Sequence, residues 1–285
     1  MYSIKRLGQA QLLWAERLHE SNEWAVSSLE SGFYAQLDSL PLSDDQAEGQ
    51  WVLGHLVADS GSWQVRNLRC LPPGIQKGLL EQQLGWLESE NRVFLLNIWT
   101  MLAHIEDSAL QAFLLEVLSD EQVMLPFCTA KASGSYHHNQ PGGLLAHSYQ
   151  VAMCAAIMCS QLQLGRRAAW VAFLGGLFHD LGKIWMFYNS SQGHGGQHES
   201  YSFILLARHL ESLRQASHQL FEALTSCLSI AKAGAHDPYQ VADIVRMCDR
   251  MSAAACSRRS AFEGMPDYFW YAFSSQDGRL YKRLD

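Results

Sequence analysis

The residues best suited to metal chemistry lie at the end of one apolar run. His179 and Asp180 stand in the segment LGGLFHDLGKIW, just before Gly182. An adjacent histidine and aspartate offer an imidazole nitrogen and a carboxylate to one point, which suits a divalent cation such as Mn²⁺, Fe²⁺, Mg²⁺ or Zn²⁺. An isolated His-Asp pair is more often only the polar end of a helix, so its meaning depends on its partners.

Two further polar residues lie on the apolar faces of other predicted helices. His147 stands in PGGLLAHSYQVA and Asp249 in VADIVRMCDRMSAA, each at helical spacing from apolar residues. Alone, His147 would be a core histidine, and Asp249 would pair with Arg246 or Arg250. Because burying a bare carboxylate is costly, a metal held between helices explains all three inward polar sites together.

Helical periodicity dominates the chain from about residue 91 onward. The predicted helices cover 91–105, a segment from Asp107-Ser108 to Leu118, and 144–159, 170–181, 199–213, 217–232 and 239–256. Residues 1–90 are heterogeneous, with a weakly alternating strand pair in WVLGHLVADSGSWQVRNLRCLPPG and no clear OB-fold pattern. The aromatic tail from Gly264 suggests a hairpin or an extended segment. The sequence therefore predicts an all-α fold with a small N-terminal accessory region.

The composition and net charge of the chain limit the classes of function that it can have. The formal net charge is -7, which lowers the odds of extended nucleic-acid binding and favours a small substrate. The seven cysteines include no CxxC pair, so neither a disulfide framework nor a zinc-cysteine site is expected. The N-terminus lacks a signal-peptide core, and no apolar run is long enough to span a bilayer. We expect a cytoplasmic protein that has no membrane partner.

The order His147, His179-Asp180, Asp249 resembles that of the HD superfamily of metal-dependent phosphohydrolases. The string HDLGK and the helical setting match as well, over roughly residues 91–260. Within the superfamily, SYHHNQPGGLLAHSYQVA resembles the HD domains of 3′→5′ exoribonucleases that follow an OB-fold domain, and those of HD-type relaxases of conjugative elements. The resemblance implies an HD-domain helical bundle at 91–262, an accessory region of unclear fold at 1–90 and a tail at 263–285.

The resemblance also implies roles for individual residues. Four would be metal ligands: His147, His179, Asp180 and Asp249. Lys183 would contact a phosphate or the metal-bound water, and Asp180 would bridge two metals in a dinuclear site. The cofactor is thus a divalent metal, one or two ions of Mn, Fe, Mg, Ni or Zn.

Further histidines bear on a second metal and on the substrate. His198 takes the place of a histidine that binds a second metal in dinuclear members, and His194 competes with it for that role. His236 matches a position where a histidine pair is common, although here it stands alone. His137 and His138 would face the substrate with His194 and Lys183. His137, His138 or His194 could protonate the leaving oxygen, with His138 taken as the catalytic residue. A loop-packing role for His137 and His138, and a polar loop role for His194 and His198, stay open.

These observations predict hydrolysis of phosphoester bonds in a nucleotide or a short single-stranded nucleic acid by a metal-activated water. No relaxase tyrosine can be assigned. The alternatives are a small-molecule nucleotidase or phosphatase, and a non-catalytic module that senses nucleotides or assists DNA processing in a conjugative system. Whether the chain forms a homo-oligomer stays open.

Overall fold

The computed structural model describes residues 10–18, 24–29, 32–37, 49–59, 62–132, 140–187, 197–229, 236–275 and 277–284. These residues divide into two compact units, one within 1–85 and 95–106 and the other within 86–94 and 107–285. The fold is mostly helical, as predicted, but it is not all-α, because the N-terminal part contains a sheet.

The first unit contains a closed five-stranded barrel. Its strands are β1 (Ala10–Arg17), β2 (Trp24–Ser27), β3 (Gly32–Leu37), β4 (Gln50–Asp59) and β5 (Ser62–Cys70), in the order β1-β2-β3-β5-β4. Strand β1 also pairs with β4, and only β3 and β5 run parallel. The predicted strand pair is confirmed as β4 and β5. A five-stranded closed barrel is the architecture of OB-fold domains, a pattern that was not visible in the sequence.

The barrel escaped sequence analysis because β4 is buried on both faces. Val52 and Leu56 point into the barrel core, while Trp51 and Leu53 on the opposite face are each only 2% exposed. Trp51 packs edge-on against Trp14, with ring centroids 5.6 Å apart. The register also shifts near Gly54. Continuous burial and a bulge both remove the alternation that marks a half-exposed strand.

Helices make up the rest of the described chain. The bounds are α1 (Lys77–Gly85), α2 (Ser89–Leu102), α3 (Ser108–Leu118), α4 (Glu121–Thr129), α5 (Gly143–Gln161), α6 (Arg166–Phe178), α7 (Lys183–Phe187), α8 (His198–Ala216), α9 (His218–Leu228) and α10 (Val241–Ala261). The helix start predicted at Asp107-Ser108 is confirmed, since Asp107 Oδ1 accepts hydrogen bonds from the backbone N–H groups of Ala109 and Leu110. The tail forms a hairpin of β6 (Tyr271–Phe273) and β7 (Leu280–Lys282).

Helix α6 is the central helix of the second unit. All of its residues from 171 to 178 are buried, the pattern of a helix surrounded by others. It lies very close to α5, since a Cβ added to Gly176 would come within 2.7 Å of the Ala152 Cα. The end of α6, and with it the His179-Asp180 pair, is thereby held inside the helical unit.

Among the residues that the structure describes, one helix has the length and hydropathy of a membrane span. It is α5, whose apolar window is 56% buried inside the fold. A mostly buried core helix of a soluble protein has the same properties. The expected cytoplasmic location stays a prediction.

The α5–α6 contact gives a direct stability test. Gly176→Ala is expected to lower the free energy of unfolding by about 1–3 kcal/mol, because its Cβ would meet backbone that cannot rotate away. Urea denaturation followed by far-UV circular dichroism measures this change. The control is Gly78→Ala in α1, where no atom lies within 4 Å of the added Cβ. Unchanged stability of Gly176→Ala would contradict the close helix contact.

Candidate metal centre

Asp180 lies at the centre of a cluster of ionisable side chains. It follows His179, the residue that caps the C-terminal end of α6, and it is only 3% exposed. His147 comes from α5 and is 6% exposed, and Asp249 comes from the middle of α10. The consecutive helices α5 and α6 and the distant helix α10 therefore bring four polar side chains to one place.

The four side chains approach closely enough to hold a metal ion. One ligand atom from each of His147, His179, Asp180 and Asp249 lies within 4.8 Å of the others. His147 Nε2 is 3.2 Å from Asp249 Oδ1 and 3.4 Å from Asp180 Oδ2. His179 Nε2 is 3.5 Å and 3.3 Å from the same two oxygens. This is the group of residues predicted from the sequence, and the structure leaves the identity of the metal open.

The Nδ1 atoms of His147 and His179 have partners that fix the orientation of both rings. His179 Nδ1 lies 2.8 Å from the Gly176 carbonyl oxygen, to which it donates. His147 Nδ1 lies 3.4 Å from Ser252 Oγ, which itself donates to Gln150 Oε1 at 3.0 Å. Partners of this kind direct Nε2 of a ligating histidine toward its metal.

The surroundings of His179 Nε2 are the best indication that this cluster could hold a cation. It is buried, and within the described part of the chain it has no partner in hydrogen-bonding geometry. It nevertheless faces the carboxylate oxygens of Asp180 and Asp249. A buried nitrogen directed at two carboxylates fits a shared divalent cation, because buried polar atoms are normally paired.

Opposite charges within the cluster stabilise one another and shift the pKa values of its members. Burial alone would lower the pKa of His179, but the charge of Asp180 and contacts with both carboxylates raise it to about 10. Burial opposes the ionised form of Asp180 too, yet the charge of His179 and hydrogen bonds from His147, His179 and His198 hold its pKa well below the ordinary value. The pKa of Asp249 is lowered against burial by His147 and His179. At neutral pH the metal-free cluster thus contains ionised carboxylates beside a protonated His179.

The two oxygens of Asp180 have different partners. Oδ2 faces His147, His179 and the Lys183 ammonium, whose Nζ lies 2.5 Å away. Oδ1 lies 3.0 Å from Nε2 of His198, the first residue of α8. The other ring nitrogen of His198 faces Glu199 Oε2 at 3.4 Å. His198 therefore contacts the Asp180 oxygen that His147, His179 and Lys183 do not face.

Close contact between Gly182 and α8 positions His198. The Gly182 backbone N–H donates to Ser202 Oγ at 2.8 Å, and Ser202 Oγ donates to the His198 carbonyl at 3.3 Å. A Cβ added to Gly182 would lie 1.7 Å from that carbonyl oxygen. The roles of Ser202, Gln150 and Ser252 were not predicted from the sequence, because each depends on a contact between helices that leaves no local signal.

The remaining predicted residues are not brought to this cluster by the described structure. His236 is exposed at the segment before α10, while its neighbour Asp237 is buried and accepts the Ala242 backbone N–H at 2.7 Å. His137, His138 and His194 lie outside the described residues. A metal role for His236 and substrate roles for the other three stay predictions.

Cation binding should release protons from this cluster. Metal ligation needs neutral His179, so binding is expected to release about one proton near neutral pH and to tighten as pH rises toward about 10. In the metal-free protein the same charge pairing stabilises the fold fully below the ordinary pKa of 6.5 and is lost as pH rises through about 10.

Calorimetric titration of the metal-free chain with Mn²⁺ or Zn²⁺, in buffers of different ionisation enthalpy, counts the protons released. His218→Ala is the matched control, because His218 is an exposed histidine outside the cluster. Affinity that does not change with pH would rule out His179 as a ligand.

Comparisons of the chain with protein-family models, with curated proteins and with solved structures gave no match. Membership of the HD superfamily therefore stays a prediction from the sequence motifs. Arguments about function rest on the geometry of the cluster.

Proposed function

We propose that this chain is a metal-dependent phosphohydrolase whose hydrolytic centre is the cluster of His147, His179, Asp180 and Asp249. The observation that supports the proposal is the convergence of two imidazoles and two carboxylates from α5, the end of α6 and α10, with a lysine beside them. Mixed imidazole and carboxylate ligands suit divalent Mn, Fe, Ni or Zn, and carboxylates also suit Mg. The order of these residues in the sequence agrees with the HD resemblance.

The four residues would hold the cation through atoms that already face one another. His147 and His179 would use Nε2, Asp249 would use Oδ1, and Asp180 would use Oδ2. A divalent cation bound there lowers the pKa of a coordinated water and offsets charge on phosphate oxygens. The Nδ1 contacts described above keep both imidazoles oriented without using the ligating nitrogen.

Differences in exposure indicate the side from which a substrate enters. The side chains of His147, His179 and Asp180 are 8%, 12% and 4% exposed. Asp249 is 38% exposed, and the side chains of Lys183 and His198 are exposed by 24% and 29%. A phosphoester would approach over this more open rim, where it meets the Lys183 ammonium.

Lys183 and His198 are the side chains that would contact the phosphate group of a substrate. The Lys183 ammonium now pairs with Asp180 Oδ2, an oxygen that a bound cation would share. An ammonium at that position can also donate to a phosphate oxygen and stabilise charge that grows in the transition state. His198 contacts Asp180 through Nε2 and Glu199 through Nδ1, and it lies at the same rim, where it can contact the substrate.

The first test is metal-dependent hydrolysis by the purified full chain. Metal-stripped protein is supplied with each candidate metal and assayed on bis-p-nitrophenyl phosphate, p-nitrophenyl phosphate, nucleotides, cyclic dinucleotides and short RNA and DNA. Asp249→Asn is expected to lose bound metal and nearly all activity. Asp243→Asn on the same helix should retain both, because Asp243 makes only an exposed ion pair with Arg246. Metal binding without turnover of any phosphoester would instead favour the non-catalytic sensing module.

A second variant separates metal binding from phosphate handling. Lys183→Ala is expected to retain the metal and to lower kcat by about a hundredfold, since it removes one positive group from the transition state. Metal content and steady-state kinetics are measured on the same preparation. A change in KM alone, with kcat intact, would place Lys183 in substrate binding only.

A further inference from the structure

The C-terminal hairpin concentrates exposed aromatic side chains. Six large apolar side chains between residues 268 and 280 are at least 42% exposed: Tyr268, Phe269, Trp270, Tyr271, Phe273 and Leu280. Single exposed apolar residues are normal on a protein surface, but a contiguous group of them marks an interaction site. Nothing in the proposed hydrolytic centre uses these residues.

The hairpin register places several of these residues on one face. Tyr271 pairs with Lys282, and Phe273 pairs with Leu280. All four alternate with the buried Ala272, so they project to the same, exposed side of the two-stranded sheet. The result, which we call the hairpin face, is a flat surface of two aromatic rings, one leucine and one lysine.

A cation lies on an exposed ring beside the hairpin face. The Lys282 ammonium is 5.1 Å from the centroid of the Trp270 ring. The Arg283 and Arg258 guanidinium groups lie 4.5 Å and 5.4 Å from the ring of Phe262, which is buried, so they add positive charge near the face but no further ring for stacking. Between residues 258 and 284 the chain has five basic and three acidic residues, whereas the chain as a whole is acidic.

We infer that the hairpin face, with Trp270, is a binding surface for single-stranded nucleic acid, which it holds for the hydrolytic centre. The inference rests on the proposed function and names its substrate class. Exposed rings accept unpaired bases by stacking, and cations beside the rings accept the phosphates between those bases. Any base offers a π-face, so such a surface tolerates many sequences.

Helix α10 connects this surface to the hydrolytic centre. It supplies Asp249 to the cluster, and about nine residues further on it supplies Arg258 beside the hairpin. Arg258 donates to the Lys282 carbonyl, which ties β7 to the helix. At 1.5 Å per residue the two positions are about 13 Å apart along the helix, a span that a few nucleotides of single strand cover.

Other occupants fit the same residues less well. The core of a protein interface is depleted in lysine, yet Lys282 stands within this face. A membrane-surface anchor that combines basic and apolar residues is an amphipathic helix, whereas the residues here lie on a two-stranded hairpin. Single-stranded nucleic acid binds to surfaces that combine aromatic rings with cations, as Trp270 and Lys282 do here.

The test is equilibrium binding of labelled oligonucleotides to the full chain, in EDTA so that no cleavage occurs. Fluorescence anisotropy is expected to show tighter binding of single strands than of duplexes. Trp270→Ala should weaken single-strand binding at least fivefold, as expected for the loss of about one stacked base, and Trp270→Phe should restore most of it. Lys282→Gln should reduce the slope of log Kd against log salt by about 0.7.

Matched controls distinguish the hairpin face from general surface effects. Ile157→Ala on α5 removes a side chain that is as exposed as Trp270, and Arg214→Gln removes an exposed basic group. Neither should alter binding, and thermal unfolding checks that every variant folds. Loss of binding in Trp270→Ala with full recovery in Trp270→Phe supports stacking even if the alanine variant is less stable.

Several outcomes would overturn the inference. These are absence of oligonucleotide binding, equal binding by Trp270→Ala and the controls, binding only to anionic vesicles, or a dimer that dissociates in Trp270→Ala. Failure of the proposed function is detected separately, as absence of metal-dependent hydrolysis of bis-p-nitrophenyl phosphate. If the chain hydrolyses bis-p-nitrophenyl phosphate but binds no oligonucleotide, the proposed function stands and the inference that the substrate is a nucleic acid fails.

Discussion

The buried charge of Asp180 is the constraint around which the helical unit is organised. Only 3% of this residue is exposed, and a buried carboxylate without a positive partner destabilises a fold by several kcal/mol. Both of its oxygens are therefore occupied. Oδ2 faces His147, His179 and Lys183, and Oδ1 faces His198. Helices α5 to α8 each deliver one of these groups, so their packing and the stability of this single charge depend on one another.

The same constraint explains why protons and a cation would compete for the cluster. In the metal-free protein the positive charge comes from Lys183 and from the protonated His179, whose pKa is raised by the carboxylates. The nitrogen that holds this proton is the nitrogen that a metal needs. Backbone and side-chain partners at Nδ1 keep both imidazoles in place in either state. The site is thus organised before any cation arrives, which limits the reorganisation that binding requires.

The sequence predicted the parts of this arrangement that depend on helical periodicity. His147 and Asp249 were assigned inward positions because each repeats with apolar neighbours at helical spacing, and the structure places both at Asp180. The barrel was missed because β4 is buried on both faces and bulged, so its pattern does not alternate. Ser202 was missed for a different reason: its role depends on how closely α8 approaches Gly182, which is a tertiary contact without a local signal.

Net charge is a weak physical guide to the substrate, and the small substrate that it favours stays a prediction. The value of -7 favours a small substrate only if the whole chain acts on the ligand as one charge. At physiological ionic strength, exposed charges more than about 8 Å apart are largely screened. A ligand at the C-terminal hairpin therefore responds to Lys282 and to its basic neighbours rather than to acidic residues elsewhere. Since α10 joins that hairpin to Asp249, the local charge along this helix would bear on which ligands reach the cluster more directly than the net charge does.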